Sequence, residues 1–207
     1  MKKFVTAIPL QAQGKLERKH YKAVGNPYLD MEEAVSFPIL TAFQGYVNPG
    51  ERSQLIAIRT DSENARRNFG ILEQETAELC RKRGIPYPDI VVIDVPEDEA
   101  VTTHVATFRQ LIDRFSDGDE LFGCLTYGTK PLSEVVRMSI QYAYRVKKNA
   151  SICCVVYGQI IRNSASEAKD SLVHDETALL RLDEIVRLLA DQGVENPSGV
   201  LDALLAL

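Results

Sequence analysis

The eight residues from Leu125 to Leu132, LTYGTKPL, combine a glycine, two threonines, a tyrosine and one lysine. They lie between an apolar run and an amphipathic stretch, so we expect a loop that joins a strand to a helix. Pro131 suits the first helical position, because proline needs no N–H there and already has helical φ. The free N–H groups of a helix N-terminus attract phosphate and other anions. The loop therefore predicts an anion site, although turns of this composition also occur for backbone geometry alone.

Further polar residues follow the other predicted strands. Amides and hydroxyls can bind the base edges and sugars of a nucleotide, while a lysine and backbone N–H groups hold its phosphates. The predicted ligand-binding residues are Gln11, Gln13, Gly14, Thr60, Ser62, Tyr127, Gly128, Thr129, Lys130 and Tyr157.

Other nucleotide and catalytic motifs are missing from the sequence. It has no G-x-x-x-x-G-K-[ST] phosphate loop, no G-x-S-x-G elbow, and no G-x-G-x-x-G after the first predicted strand. No histidine falls at a predicted strand end. The three histidines and four cysteines lack metal-ligand spacing, and the cysteines are typical of reduced core residues. We therefore expect no metal and no cofactor.

The elements that must position these residues alternate between strand and helix. Continuous apolar runs are typical of strands buried on both faces of a parallel sheet. The predicted strands are Phe4–Leu10, Gln54–Thr60, Asp89–Val95, Leu121–Thr126 and Ser151–Tyr157. The predicted helices run from Ser62 to Arg83, Asp98 to Phe115 and Pro131 to Lys148, with another from Glu32 to Val47 that Pro38 breaks or kinks. This order predicts an α/β, Rossmann-like open sheet, mainly parallel, with helices on both faces.

The pattern changes near the C-terminus. Residues 162–176 are polar and resemble turns, after which Asp175 caps a helix that ends at Gly193, and Pro197 opens a short last helix. We therefore predict a Rossmann-like domain over residues 1–160 and a two-helix C-terminal extension over 161–207. The extension is too short for a separate catalytic domain and suits packing or dimerisation.

Charge and hydropathy exclude several partners. The net charge is −5 and the pI is about 5.3, which argues against a broad basic face for duplex nucleic acid. No apolar run approaches the roughly 20 residues that span a bilayer. The apolar part of the N-terminus is too short for a signal peptide and is interrupted by Thr6 and Pro9. We expect no membrane partner and a cytoplasmic location.

The run Cys124 to Pro131, with Thr126, Gly128, Thr129 and Lys130, resembles the motif after the fourth strand of CARF domains, the CRISPR-associated Rossmann folds. In that family a Thr-x-Gly-Thr-Lys turn opens a helix. The later strand that ends in Val-Val-Tyr-Gly and the polar loops after the first two strands are also similar. The resemblance covers roughly residues 3–160, and it is weakest in the loop after the first strand, where this chain has glutamines.

The resemblance implies a homodimer that binds cyclic oligoadenylate, the ring-shaped messenger of type III CRISPR defence, across its two-fold axis. One expectation is a ring nuclease, in which a ribose 2′-oxygen attacks the adjacent phosphate without metal, with Lys130 and Thr126 as the catalytic residues. The alternative is a non-catalytic sensor that signals to a partner. The absence of an effector domain favours the enzyme, and the absence of an evident base favours the sensor. A third alternative is an unrelated Rossmann-like protein that binds a mononucleotide or a sugar phosphate.

Overall fold

Seven strands form one sheet in the computed structural model, which describes residues 1–162 and 168–205. The strands are β1 (Lys2–Ala7), β2 (Lys22–Val24), β3 (Ser53–Thr60), β4 (Asp89–Val95), β5 (Glu120–Cys124), β6 (Ser151–Arg162) and β7 (Ala168–Asp175). The same residues form six α-helices: α1 (Ile39–Tyr46), α2 (Glu63–Arg83), α3 (Val101–Ile112), α4 (Lys130–Val146), α5 (Thr177–Asp191) and α6 (Pro197–Leu205).

The sheet has the strand order β2-β7-β6-β5-β1-β3-β4. Five neighbouring strands, from β6 to β4, run parallel, whereas β7 pairs antiparallel with β6. The chain passes from β1 to β3 and β4 on one side, and then crosses to β5 and β6 on the other. Ligands of such sheets bind where the strand order reverses, beyond the carboxyl ends of the strands. In this protein that point lies between β1 and β5.

Strand β1 is buried on both faces, as its apolar run predicts. Phe4 lies on the face covered by α1 and α2, where its ring stacks on Phe122 at 4.4 Å between centroids. Val5 lies on the opposite face, in the cluster that includes Ile140 of α4 and Leu180 of α5. The chain therefore forms an α/β, Rossmann-like sheet with helices on both faces and a two-helix C-terminal tail, and the predicted fold class is confirmed.

The prediction of a polar, turn-like segment over residues 162–176 is wrong where the structure describes it. Strand β6 continues past Tyr157 to Arg162, and residues 168–175 return as β7. Residues 163–167 of the predicted segment lie outside the described residues. Strand β7 was missed because only Val173 is buried among residues 170–175, so the pattern carries too few apolar residues for a strand.

Helix boundaries differ from the prediction where proline and caps decide them. Of the helix predicted over 32–47, only α1 forms, and it begins directly after Pro38, because proline disfavours helix in the residue before it. Helix α4 begins one residue earlier than predicted, at Lys130, so Pro131 is its second residue. Helix α2 matches the prediction: Ser62 caps it by accepting from Ala65 N.

Candidate functional site

A cleft of about 600 Å³ lies at the carboxyl edge of the sheet, over the point where the strand order reverses. Its walls come from the segments that follow β1, β3, β4 and β5, together with α3 and the start of α4. Six of the predicted ligand-binding and catalytic residues line it: Gln11, Thr60, Thr126, Tyr127, Gly128 and Thr129. The carboxyl ends of four strands thus meet at this cleft.

The turn after β5 is shaped by Gly128. Its φ is +95°, and a Cβ there would lie 3.1 Å from both Ala7 Cβ and Leu132 Cδ2. A side chain is therefore opposed by the backbone conformation and by close neighbours. This tight turn brings the start of α4 against β1, at the reversal point of the sheet.

Helix α4 begins at the edge of the cleft with a side-chain cap. Thr129 Oγ1 accepts from Leu132 N at 3.4 Å and donates to Glu99 Oε2 at 3.1 Å. Lys130 follows as the first helical residue and is exposed, although it is not part of the cleft wall. Within residues 1–162 and 168–205, no hydrogen bond or ion pair involves the Lys130 ammonium. The helix N-terminus thus carries an unpaired cation next to the cleft.

The hydroxyls of Thr126 and Tyr127 are both hydrogen-bonded to backbone atoms. Thr126 Oγ1 accepts from Gly158 N at 2.7 Å, which ties the loop after β5 to β6. Tyr127 donates its hydroxyl to Ser36 O at 2.6 Å, and burial raises the pKa of the phenol well above its usual range. Both residues line the cleft, but their hydroxyls are engaged in fixing its shape.

The loop after β1 is held from α2. Asn68 is buried, and its Nδ2 donates to Pro9 O at 2.8 Å and to Gln11 O at 2.9 Å. Gln11 is thereby placed on the cleft wall, while Gln13 and Gly14 lie further along, in an exposed turn outside it. Sequence reasoning missed Asn68, because its partners are backbone atoms that no motif marks.

The two remaining predicted residues, Ser62 and Tyr157, also lie outside the cleft wall. Ser62 serves as the cap of α2. Tyr157 is exposed. It lies within β6 and not at the end of a strand, since β6 continues to Arg162. Gly158 allows Pro38 to pack closely against β6, since a Cβ at that position would lie 2.4 Å from Pro38 Cγ.

One wall of the cleft is acidic. The segment between β4 and α3 places Glu97, Asp98 and Glu99 on the cleft. Asp98 Oδ1 accepts from Ala100 N at 2.9 Å, and this hydrogen bond lowers the pKa of its carboxyl. The cleft therefore has carboxylates close to the N-terminus of α4, and Glu99 contacts the cap of that helix directly.

His104 also lines the cleft, from the first turn of α3. Its Nε2 lies 3.3 Å from Glu99 Oε2, the same oxygen that accepts from the Thr129 hydroxyl. This nitrogen is buried and has no hydrogen-bond partner within the described part of the chain. Sequence reasoning missed His104 because it sought histidines at strand ends.

No protein-family model matches this chain, and no curated protein matches it. Among residues 1–162 and 168–205, no group of three or more histidine, cysteine, aspartate or glutamate side chains could hold a metal ion. The four cysteines are free thiols. None of the described helices has the length and apolar character needed to cross a membrane.

Proposed function

We propose that the chain is a CARF-like protein that binds cyclic oligoadenylate as a homodimer and opens the ring by metal-independent phosphodiester cleavage, within a cytoplasmic type III CRISPR defence. One observation carries the proposal. The Thr-Tyr-Gly-Thr-Lys turn, which carries the resemblance to this family, opens α4 at the edge of the main cleft, where the sheet order reverses.

The charges suit a nucleotide held in one orientation. A phosphate fits beside Lys130 at the start of α4, where the ammonium and the helix dipole favour negative charge, although Pro131 has no N–H and Leu132 N already donates to Thr129 Oγ1. The carboxylates of Glu97 to Glu99 would repel a phosphate but can accept hydrogen bonds from ribose hydroxyls and from the adenine amino group. The ring would thus turn its phosphates towards α4 and its sugars towards α3.

A ring with two-fold symmetry matches two copies of one cleft, each binding half of the ligand. The catalytic contribution of such a site is to position the 2′-oxygen in line with the phosphorus and to stabilise charge on the phosphoryl oxygens. The Lys130 ammonium and the backbone N–H of the same residue are the groups we assign to the second task.

The test is to incubate the protein with cyclic tri-, tetra- and hexa-adenylate in EDTA, and to follow binding and products by chromatography. Binding with a linear product supports the proposal, whereas binding of an intact ring would assign a sensor. If no ring binds at micromolar protein, the CARF assignment is wrong. Light scattering measures whether the chain is a dimer.

Lys130→Ala tests the anion site against a matched control. Lys148→Ala removes the same charge just beyond the other end of α4, away from the cleft. We expect Lys130→Ala to weaken ring binding roughly 10-fold, the loss expected when one charge-assisted hydrogen bond is removed, and to leave the melting temperature unchanged. Equal effects of the two variants would contradict the assigned role.

A further inference from the structure

We propose that His104, held by Glu99, is the general base that activates the attacking ribose 2′-hydroxyl. This inference rests on the proposed function and supplies the base that the strand-end residues lack. It follows from three contacts: His104 lines the cleft, its Nε2 lies beside Glu99 Oε2, and that oxygen is bound by the Thr129 cap of α4.

Glu99 links the histidine to the phosphate-binding turn. The same carboxylate oxygen, Glu99 Oε2, lies 3.3 Å from His104 Nε2 and 3.1 Å from Thr129 Oγ1. The residue that follows Thr129 is Lys130, the unpaired cation of the anion site. His104 is therefore linked through Glu99 to the residue that caps α4, next to the position assigned to the phosphate.

The pair has the chemistry of a base and its orienting group. A carboxylate beside Nε2 favours the tautomer with hydrogen on that nitrogen, which leaves Nδ1 to accept a proton. The contact between Nε2 and Glu99 falls short of a hydrogen bond in the described residues. Catalytic hydrogen bonds are often poorly aligned without ligand and tighten when substrate binds. Glu99 is a positioning residue in this scheme, and His104 is the catalytic one.

In the proposed step, the proton of the 2′-hydroxyl goes to Nδ1 of His104. The 2′-oxygen then forms a bond to phosphorus, and the P–O5′ bond breaks. The 5′-oxygen takes a proton from water, and the imidazolium returns its proton to water. The cyclic oligoadenylate becomes linear, with a 2′,3′-cyclic phosphate at one end and a 5′-hydroxyl at the other, and no water is consumed overall.

The experiment compares His104→Gln with His20→Gln, which alters an exposed histidine that does not line the cleft. Single-turnover cleavage, ring binding and thermal unfolding are measured for both variants. We expect His104→Gln to cleave at least about 100-fold more slowly, the contribution typical of a general base, with unchanged ring affinity. Full activity of His104→Gln would overturn the assignment while leaving the proposed function intact.

A substrate with sulfur in place of the bridging 5′-oxygen separates the base from an acid. A thiolate leaves without protonation, so the loss in His104→Gln persists if His104 acts on the 2′-hydroxyl. If the loss disappears, His104 acts on the leaving group and the proposal is wrong. A wild-type protein that binds the ring and never cleaves it also overturns the proposal, and one that binds no ring contradicts the proposed function itself.

Glu99→Gln keeps the test decisive if His104→Gln does not fold. Glutamine can still accept from the Thr129 hydroxyl, but it removes the charge beside Nε2. We expect kcat to fall, since the substitution removes the charge that orients the base, whereas a change in KM alone would assign Glu99 to ring binding only. An unchanged kcat would exclude the His104–Glu99 pair from the reaction.

Discussion

Gly128 is the residue whose substitution tests the shape of the candidate site most directly. Gly128→Ala places a methyl group on a backbone with φ +95°, 3.1 Å from Ala7 Cβ and from Leu132 Cδ2. The left-handed conformation costs a non-glycine residue about 1–2 kcal/mol. Crowding of a packed region adds about 1–3 kcal/mol. We therefore expect the free energy of unfolding to fall by about 2–5 kcal/mol in total.

Gly50→Ala is the matched control, because Gly50 has φ +85° and no neighbouring atom lies within 4 Å of the position that a Cβ would take. It carries the backbone cost alone, so we expect a loss of about 1–2 kcal/mol. Urea unfolding followed by circular dichroism, with linear extrapolation, measures both variants. If the two substitutions destabilise the protein equally, the packing of the turn against β1 and α4 does not restrict residue 128.

Two further predictions concern hydrogen bonds and charges outside the anion site. Tyr127→Phe removes the hydrogen bond to Ser36 O and should lower the free energy of unfolding by about 0.5–1.5 kcal/mol, whereas Tyr157→Phe, at an exposed position, should leave it unchanged. Burial raises the pKa of Glu75, so the wild type should gain stability relative to Glu75→Gln as the pH falls towards 4.5. Glu78, whose pKa is lowered by Gln74 and Arg18, should give the opposite trend in Glu78→Gln.

The sign for Glu75 follows from proton binding. A carboxyl with a raised pKa in the folded state binds more protons folded than unfolded between the two pKa values, so stability decreases as the pH rises through that window. Urea titrations at several pH values measure the trend. Parallel stability profiles for the wild type and Glu75→Gln would contradict the prediction for Glu75. The prediction for Tyr127 is contradicted if Tyr127→Phe is as stable as Tyr157→Phe.

Strands and helices with strong local determinants could be predicted from the sequence. Strand β4 has the predicted bounds, and α2 begins after the Ser62 cap and ends before Gly84, which adopts a left-handed conformation. Strands β2 and β7 could not be predicted, because β2 has three residues and β7 is mostly polar. Strand β7 pairs with β6 and β2 pairs with β7, and no local pattern contains information on such pairing.

The residues of the candidate site could also be predicted only in part. Gln11, Thr60 and Thr126 could be placed at the cleft, because the carboxyl ends of parallel strands must meet at one edge of the sheet. Gln13 and Ser62 lie only two residues from Gln11 and Thr60, yet they are outside the cleft wall. The direction that a side chain takes in a loop depends on contacts such as those of Asn68, which strand-end rules do not contain.

Negative charge on the cleft wall is unexpected in a site for a polyanion. It is also the feature that most restricts the proposed chemistry. Glu99 has a bonded role, since it accepts from the cap of α4, and Asp98 is held in its charged form by a backbone N–H. In the proposed function these carboxylates would repel a phosphate and leave Lys130, at the start of α4, as the group that holds it, because like charges repel strongly at short range. A ribose beside them would face His104, the only imidazole on the cleft wall among the described residues. If the proposed function holds, the negative charge that disfavours general anion binding favours one orientation of a nucleotide ring, in which a hydroxyl and not a phosphate meets the proposed base.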